Sequence, residues 1–141
     1  MQGKFVMVGN IKTHYLQCGS GERSLILLHS GEHGASAENS FEYNIEPLSR
    51  SFHVYAIDMV GFGQTDKLFD FGNVRSFRMN HIRDFMTCLC IEKASFIGCS
   101  TGGGLVLEVA SMDSSIWNVE KIVTVSGGGP NNQDVHNVLN Q

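Results

Sequence analysis

A serine with glycine two residues before and two residues after it, Gly98-Cys99-Ser100-Thr101-Gly102, is the stretch of this chain best suited to chemistry. Ala94–Gly98 reads as a short strand and Thr101–Met112 as a helix, so the serine falls on a sharp strand-to-helix turn. A hydroxyl held there projects above the sheet, and strand and helix pass so close that only small residues fit on either side. The helix opens with N–H groups that have no intrahelical acceptor, and its dipole adds partial positive charge beside them. Together these features suit attack on a carbonyl carbon, with Ser100 as nucleophile and nearby N–H donors for the oxygen that becomes negative. The plainer reading is a glycine-rich turn with a capping serine. The strand before it, the helix after it and a second glycine-containing loop upstream favour the nucleophile. Cys99 lacks the paired glycines that frame Ser100, so it is expected to line the pocket or pack behind the turn.

The upstream loop is His29-Ser30-Gly31-Glu32-His33-Gly34, directly after the apolar run Ser24–Leu28. Acyl transfer needs two donors aimed at the tetrahedral oxygen. The expected pair is the backbone N–H of Thr101 and that of Gly31, where the absence of a Cβ lets the amide approach. Ser30, Glu32 and His33 are expected to line the substrate pocket with Cys99. His29 reads as a brace that hydrogen-bonds the loop rather than as a base. Asp58, in Asp58-Met59-Val60-Gly61-Phe62-Gly63, reads as a turn former whose carboxylate binds backbone N–H groups rather than as a catalytic acid. No His/Cys/Asp cluster has metal-ligand spacing, and the Gly127–Gly129 run lacks the Lys-Ser/Thr of a phosphate loop, so neither metal nor cofactor is expected.

Such loops need a rigid frame. Lys4–Val8 and Ile11–Cys18 alternate around Gly9-Asn10 as a β-hairpin. Ser24–Leu28 and Phe52–Ile57 are continuous apolar runs of the kind buried on both faces. Ala37–Arg50 carries Phe41, Ile45 and Leu48 at helical spacing, with Pro47 expected to kink or end it. Phe77–Cys90 is amphipathic, Glu120–Val125 is a further strand, and a helix is expected to begin at Gln133. Strands alternating with helices imply a mostly parallel α/β sheet, in which ligands sit at the carboxyl ends of the strands. The loops after Leu28, Ile57 and Ile97 all leave strands at that end. Net charge is −4 with Lys and Arg scattered singly, which argues against nucleic acid. No apolar run approaches the ~20 residues of a membrane span. The four cysteines, Cys18, Cys88, Cys90 and Cys99, have no zinc or redox spacing, which suits a reducing, cytoplasmic compartment.

Three segments taken together carry a resemblance: the His29 loop with Gly34-Ala35-Ser36, the Asp58-Met59-Val60-Gly61-Phe62-Gly63-Gln64-Thr65-Asp66 string, and Gly98–Gly104. The chain resembles the α/β-hydrolase superfamily and, within it, the meta-cleavage-product hydrolases, which split C–C bonds in vinylogous diketo acids. Those hydrolases usually have Asn where this chain has Cys99, commonly Gly at Ser30 and Pro at His33. A simple ester therefore stays open beside a C–C substrate. The resemblance implies that residues 1–141 form the N-terminal part of one α/β-hydrolase domain, truncated before the last strands, with a cap beginning near 130–135. It also implies a triad in the order Ser, Asp, His, whose Asp and His are not in this chain, His136 being cap-like in position. Two functions follow. One is a serine hydrolase acting through an acyl-enzyme on a small molecule with a carbonyl or ester. The other is a catalytically incomplete or ligand-binding remnant. An uncovered sheet edge would favour a homo-oligomer.

Overall fold

The computed structural model describes residues 1–113 and 115–127. Their elements run β1 (Gln2–Val8), β2 (Ile11–Cys18), β3 (Ser24–Leu28), α1 (Ala37–Phe41), α2 (Ile45–Ser49), β4 (His53–Ile57), α3 (Val74–Cys88), β5 (Ala94–Cys99), α4 (Thr101–Ser111) and β6 (Val119–Val125). The six strands form one sheet in the order β1-β2-β4-β3-β5-β6. β1 and β2 make the antiparallel hairpin, with Val8 opposite Ile11, and β2 is antiparallel to β4. The pairs β3–β4, β3–β5 and β5–β6 are parallel. The α/β architecture with its N-terminal antiparallel hairpin is the one the sequence implies.

β3 shows why a continuous apolar run was needed. Ile26 and Leu28 enter a core with Ile82 and Phe85 of α3 and Leu105 and Val106 of α4. Leu25 and Leu27 face the other way, onto Ala37, Phe41 and Ile45. A strand covered on both sides has no polar alternation to display. Phe85 is fully buried and meets Tyr15 edge-on at 5.1 Å between ring centroids. Its truncation to alanine would cost ~3–5 kcal/mol. Trp117 stacks on Phe96 at 4.9 Å and donates its indole N–H to the Met79 carbonyl at 2.9 Å, so its one polar group is satisfied.

Two helix expectations need correction. The stretch 37–50 is not one helix but two short ones, separated at Glu42–Asn44. A continuous helix would require a Pro47 N–H for the Tyr43 carbonyl, and proline has none. Pro47 therefore sits in the first turn of α2, where a missing N–H costs nothing, rather than ending a helix. α3 begins at Val74 rather than Phe77, because the Asn73 side chain caps it by accepting the Ser76 N–H at 2.9 Å. It ends at Cys88, and Cys90 turns away with φ +55°.

Among the described residues β6 pairs only with β5, and its Val123 and Val125 are about half exposed. No described helix is long and apolar enough to cross a membrane. The helix expected from Gln133 and the cap start near 130–135 lie outside the described residues.

Candidate active site

The strand order reverses around β3: β4 lies on one side of it and β5 on the other. A crevice opens outside the carboxyl ends of strands at such a point. The two loops that leave β3 and β5 there are those carrying Gly31 and Ser100.

Ser100 sits between the last residue of β5 and the first of α4 with φ +48° and ψ −111°. A non-glycine residue in that region stores ~1–3 kcal/mol of backbone strain, which the surroundings must hold in place. They do so by three routes. The Ser100 N–H donates to the Val125 carbonyl at the end of β6 at 2.8 Å, and its own carbonyl accepts the Gly104 N–H at 2.9 Å. Strand and helix then cross at backbone contact: a Cβ on Gly98 would lie 2.5 Å from the Gly102 carbonyl carbon. A Cβ on Gly102 would run into the backbone carbonyls of Leu28 and His29, tying the helix start to the end of β3. Ser100 itself is exposed, so its hydroxyl faces solvent above the sheet.

Gly31 packs directly on the next residue. A Cβ there would meet the Thr101 hydroxyl and lie 2.9 Å from the Thr101 Cβ. The two loops therefore touch at the pair of residues expected to donate N–H groups. Among the described residues no acceptor takes either the Gly31 or the Thr101 N–H. In a helix start this is ordinary; beside a strained serine it leaves two donors available to an anionic oxygen.

The remaining loop residues sort by their contacts. His29 is fully buried, and both ring nitrogens are engaged: Nδ1–H donates to the Ser30 carbonyl at 2.6 Å and Nε2 accepts the Met59 N–H at 2.9 Å. That pattern fixes the neutral tautomer. Burial lowers its pKa further, against the raising effect of the Ser30 carbonyl. A ring so committed braces the β3 and β4 loops and has no lone pair for Ser100. The Glu32 carboxyl is held below its usual range by the Ser30 hydroxyl and by its own backbone N–H. Cys99 packs against the core on the α1–α2 side, and burial, with Glu32 nearby, pushes its thiol up. It is therefore behind the turn and protonated at neutral pH. His33 is exposed and borders a cleft of about 640 Å³ with Ser36, Glu38, Asn39, Gln64 and Lys67. The residues bordering that cleft do not include Ser100, Gly31 or Thr101.

Asp58 is a structural hub. Its Oδ1 accepts the Ala37 N–H at 2.8 Å, its Oδ2 accepts the Gln64 N–H at 2.9 Å, and the His14 ring bonds Oδ2 at 2.8 Å. His14 in turn receives support from Thr65, whose hydroxyl donates to the Asp58 carbonyl at 2.7 Å and accepts the His14 N–H at 2.9 Å. The Asp58 turn is legible in the sequence, but its histidine partner was not. The available signal was His14 itself, an imidazole beside the apolar pair Tyr15-Leu16 of β2. No group of three or more His, Cys, Asp or Glu among the described residues could hold a metal ion.

A mixed sheet, parallel across β4-β3-β5-β6, with a strained serine at the turn after β5 and a glycine loop after β3, defines an α/β protein. The match to known families makes this specific. The chain belongs to the alpha/beta hydrolase fold family, whose model matches residues 23–141. It is 34% identical over 125 residues to a 2-hydroxy-6-oxo-6-(2'-aminophenyl)hexa-2,4-dienoic acid hydrolase of Metapseudomonas resinovorans, covering 88% of this chain and 42% of that protein. It is 29% identical to a 2-hydroxy-6-oxononadienedioate/2-hydroxy-6-oxononatrienedioate hydrolase of Paraburkholderia xenovorans, covering 89% and 44%. A crystal structure of a serine hydrolase involved in carbazole degradation superposes with a TM-score of 0.81 at 32% identity, covering 97% of this chain and 55% of that one. A meta-cleavage product hydrolase from Pseudomonas fluorescens gives 0.78 at 30%, covering 98% and 56%. The chain thus spans less than half the length of these curated relatives.

Proposed function

We propose that this chain carries the nucleophile and oxyanion-binding part of a serine hydrolase that cleaves a C–C or ester bond next to a carbonyl. The observation that carries the reading is Ser100 in its strained conformation, beside two N–H donors on touching loops that no acceptor among the described residues takes. In this reading Ser100 Oγ attacks the carbonyl carbon while its proton passes to a general base, the N–H groups of Thr101 and Gly31 receive the oxyanion, and collapse breaks the bond to the leaving group, which takes up that proton, to give an ester on Ser100. Ser30 and Glu32 then belong to the wall of the substrate site and His33 to its outer rim, with Cys99 packed behind the turn. The similarity to dienoate and dienedioate hydrolases supports a small-molecule substrate with a carbonyl.

A ligand-binding domain without turnover is the second reading. One observation favours it: His29, the histidine in the loop beside Ser100, commits both ring nitrogens to the Ser30 carbonyl and the Met59 N–H. A fluorophosphonate probe separates the two. The hydrolase reading expects labelling of the folded chain that disappears in Ser100→Ala. A folded chain that binds a dienoate but takes no label would establish the binding reading instead.

A further inference from the structure

The residue after Ser100 carries a hydroxyl as well as its backbone N–H. Thr101 opens α4, and its side chain is lodged against Gly31. A Cβ on Gly31 would meet Thr101 Oγ1 first, and would lie 2.9 Å from the Thr101 Cβ and 3.2 Å from its Cγ2. A branched side chain has few rotamers to choose from, and this one turns its oxygen toward the loop after β3. A threonine inside a helix can donate back to the carbonyl four residues earlier, as Thr87 does to Arg83 at 3.2 Å. Thr101 cannot, because the residue at that spacing is Ile97, a strand residue that pairs with Leu27 and Val123 in the sheet. The Thr13 and Thr65 hydroxyls donate to the carbonyls of Ile11 and Asp58. Among the described residues no acceptor takes that of Thr101. Nor is it sealed away: the buried side-chain polar atom without a partner among them is His81 Nδ1, and Thr101 is half-buried.

A hydroxyl in that situation keeps its hydrogen free to donate, and the hydrogen can swing about the C–O bond. Its place is fixed by the two residues read as oxyanion donors: it is attached to one and touches the other. An oxygen that accepts both N–H groups sits at the seam between those residues, so the hydroxyl can bond it with no movement of backbone. A carbonyl oxygen is a modest acceptor and an oxyanion a strong one. Such a donor therefore favours the tetrahedral state over the bound substrate. We propose that the Thr101 side chain is itself catalytic, its Oγ1–H supplying a third donor to the oxyanion formed when Ser100 attacks. The hydrogen stays on Oγ1 throughout, and no bond to it breaks. The inference rests on the reading of Ser100 as nucleophile. It also gives Gly31 a further reason to be glycine, because a Cβ there would push the hydroxyl out of place.

The test uses the full chain with Thr101→Val, which replaces the hydroxyl by a methyl, and Thr101→Ser, which keeps it. Unfolding midpoints are measured for each. One readout is the rate at which p-nitrophenyl butyrate acylates Ser100. The other is made in the Ser100→Ala background: binding of butylphosphonate, a tetrahedral anion, compared with binding of the neutral butyramide. Thr101→Val should slow acylation and weaken phosphonate binding by at least about tenfold each, and leave butyramide binding unchanged. Thr101→Ser should stay within about threefold of the wild-type chain in both. A loss that Thr101→Ser shares, or that extends to butyramide, overturns the proposal. If Thr101→Val does not fold, Thr101→Ala takes its place against Thr101→Ser. Acylation and phosphonate binding that ignore the hydroxyl refute the third donor and leave Ser100 standing. A chain that never acylates, yet binds phosphonate through the hydroxyl, keeps the donor and refutes the nucleophile. Neither acylation nor phosphonate binding in a folded chain overturns both.

Discussion

Removing the Asp58 carboxylate is the perturbation whose consequence can be worked out most fully. In Asp58→Ala, three donors lose their acceptor: the N–H groups of Ala37 and Gln64 and the ring of His14. Gln64 is exposed and its N–H can turn to water, but Ala37 and His14 are buried and cannot. An unsatisfied buried donor costs ~1–3 kcal/mol, and a bond to a charged acceptor lies toward the upper end of that range. Two such losses give ~3–5 kcal/mol, the same scale as breaking a buried charged pair by deleting one member. For a chain of this size that corresponds to a fall in melting temperature of ~12–20 °C. Asp58→Asn should not rescue it, because one carboxylate oxygen becomes an NH2 group facing donors. The assay is urea and thermal unfolding followed by circular dichroism, with Ser100 labelling measured well below the transition. Reduced stability with labelling retained in the folded fraction is expected. An unchanged midpoint would refute the hub, and loss of labelling in a fully folded variant would give Asp58 a catalytic part that the geometry denies it.

Ser100→Gly should raise stability by ~1 kcal/mol while abolishing labelling, since glycine relieves the strain at φ +48° and gives back part of the gain as chain entropy; equal unfolding midpoints for the two chains would contradict stored strain. His81 is buried against Thr13, with Nε2 2.8 Å from its hydroxyl and Nδ1 without a partner, and burial lowers its pKa to about 4. The unfolded chain, with its histidine near 6.5, then binds the proton more readily, so stability should fall as pH drops from about 6.5 to 4 and level off below. His81 should account for ~3 kcal/mol of that fall, and His81→Leu should flatten the stability profile in urea titrations at pH 7 and 4.5. The exposed Val123 and Val125 on β6 predict concentration-dependent self-association, visible by sedimentation velocity and reduced in Val123→Lys; a monomer at all concentrations would contradict it.

The site was more legible in the sequence than its supports. Gly98, Ser100 and Gly102 announce the turn because only small residues survive where backbone meets backbone, a constraint that acts within five residues of chain at Gly98 and against the end of β3 at Gly102. The apolar runs of β3 and β4 announce a doubly covered sheet for an equally local reason. What joins the parts is long-range. The His14–Asp58 pair links residues 44 apart, and the bond from Ser100 to Val125 ties the elbow to a strand that forms later in the chain. No spacing rule reports such pairings. The split of 37–50 into α1 and α2 was half visible: Pro47 was noticed, but its tolerance in a first turn moves the break upstream of it rather than after it.

The central claim is that Ser100 forms a covalent acyl intermediate, and trapping that intermediate tests it most directly. A folded sample is incubated with a p-nitrophenyl ester, quenched in acid and weighed intact, and the adduct is mapped by peptide mass spectrometry. A single acyl group on the peptide containing Gly98–Gly102, located at Ser100 and missing from Ser100→Ala, is the predicted result. No adduct in a folded chain, or an adduct on Cys99 or another serine that persists in Ser100→Ala, would contradict it.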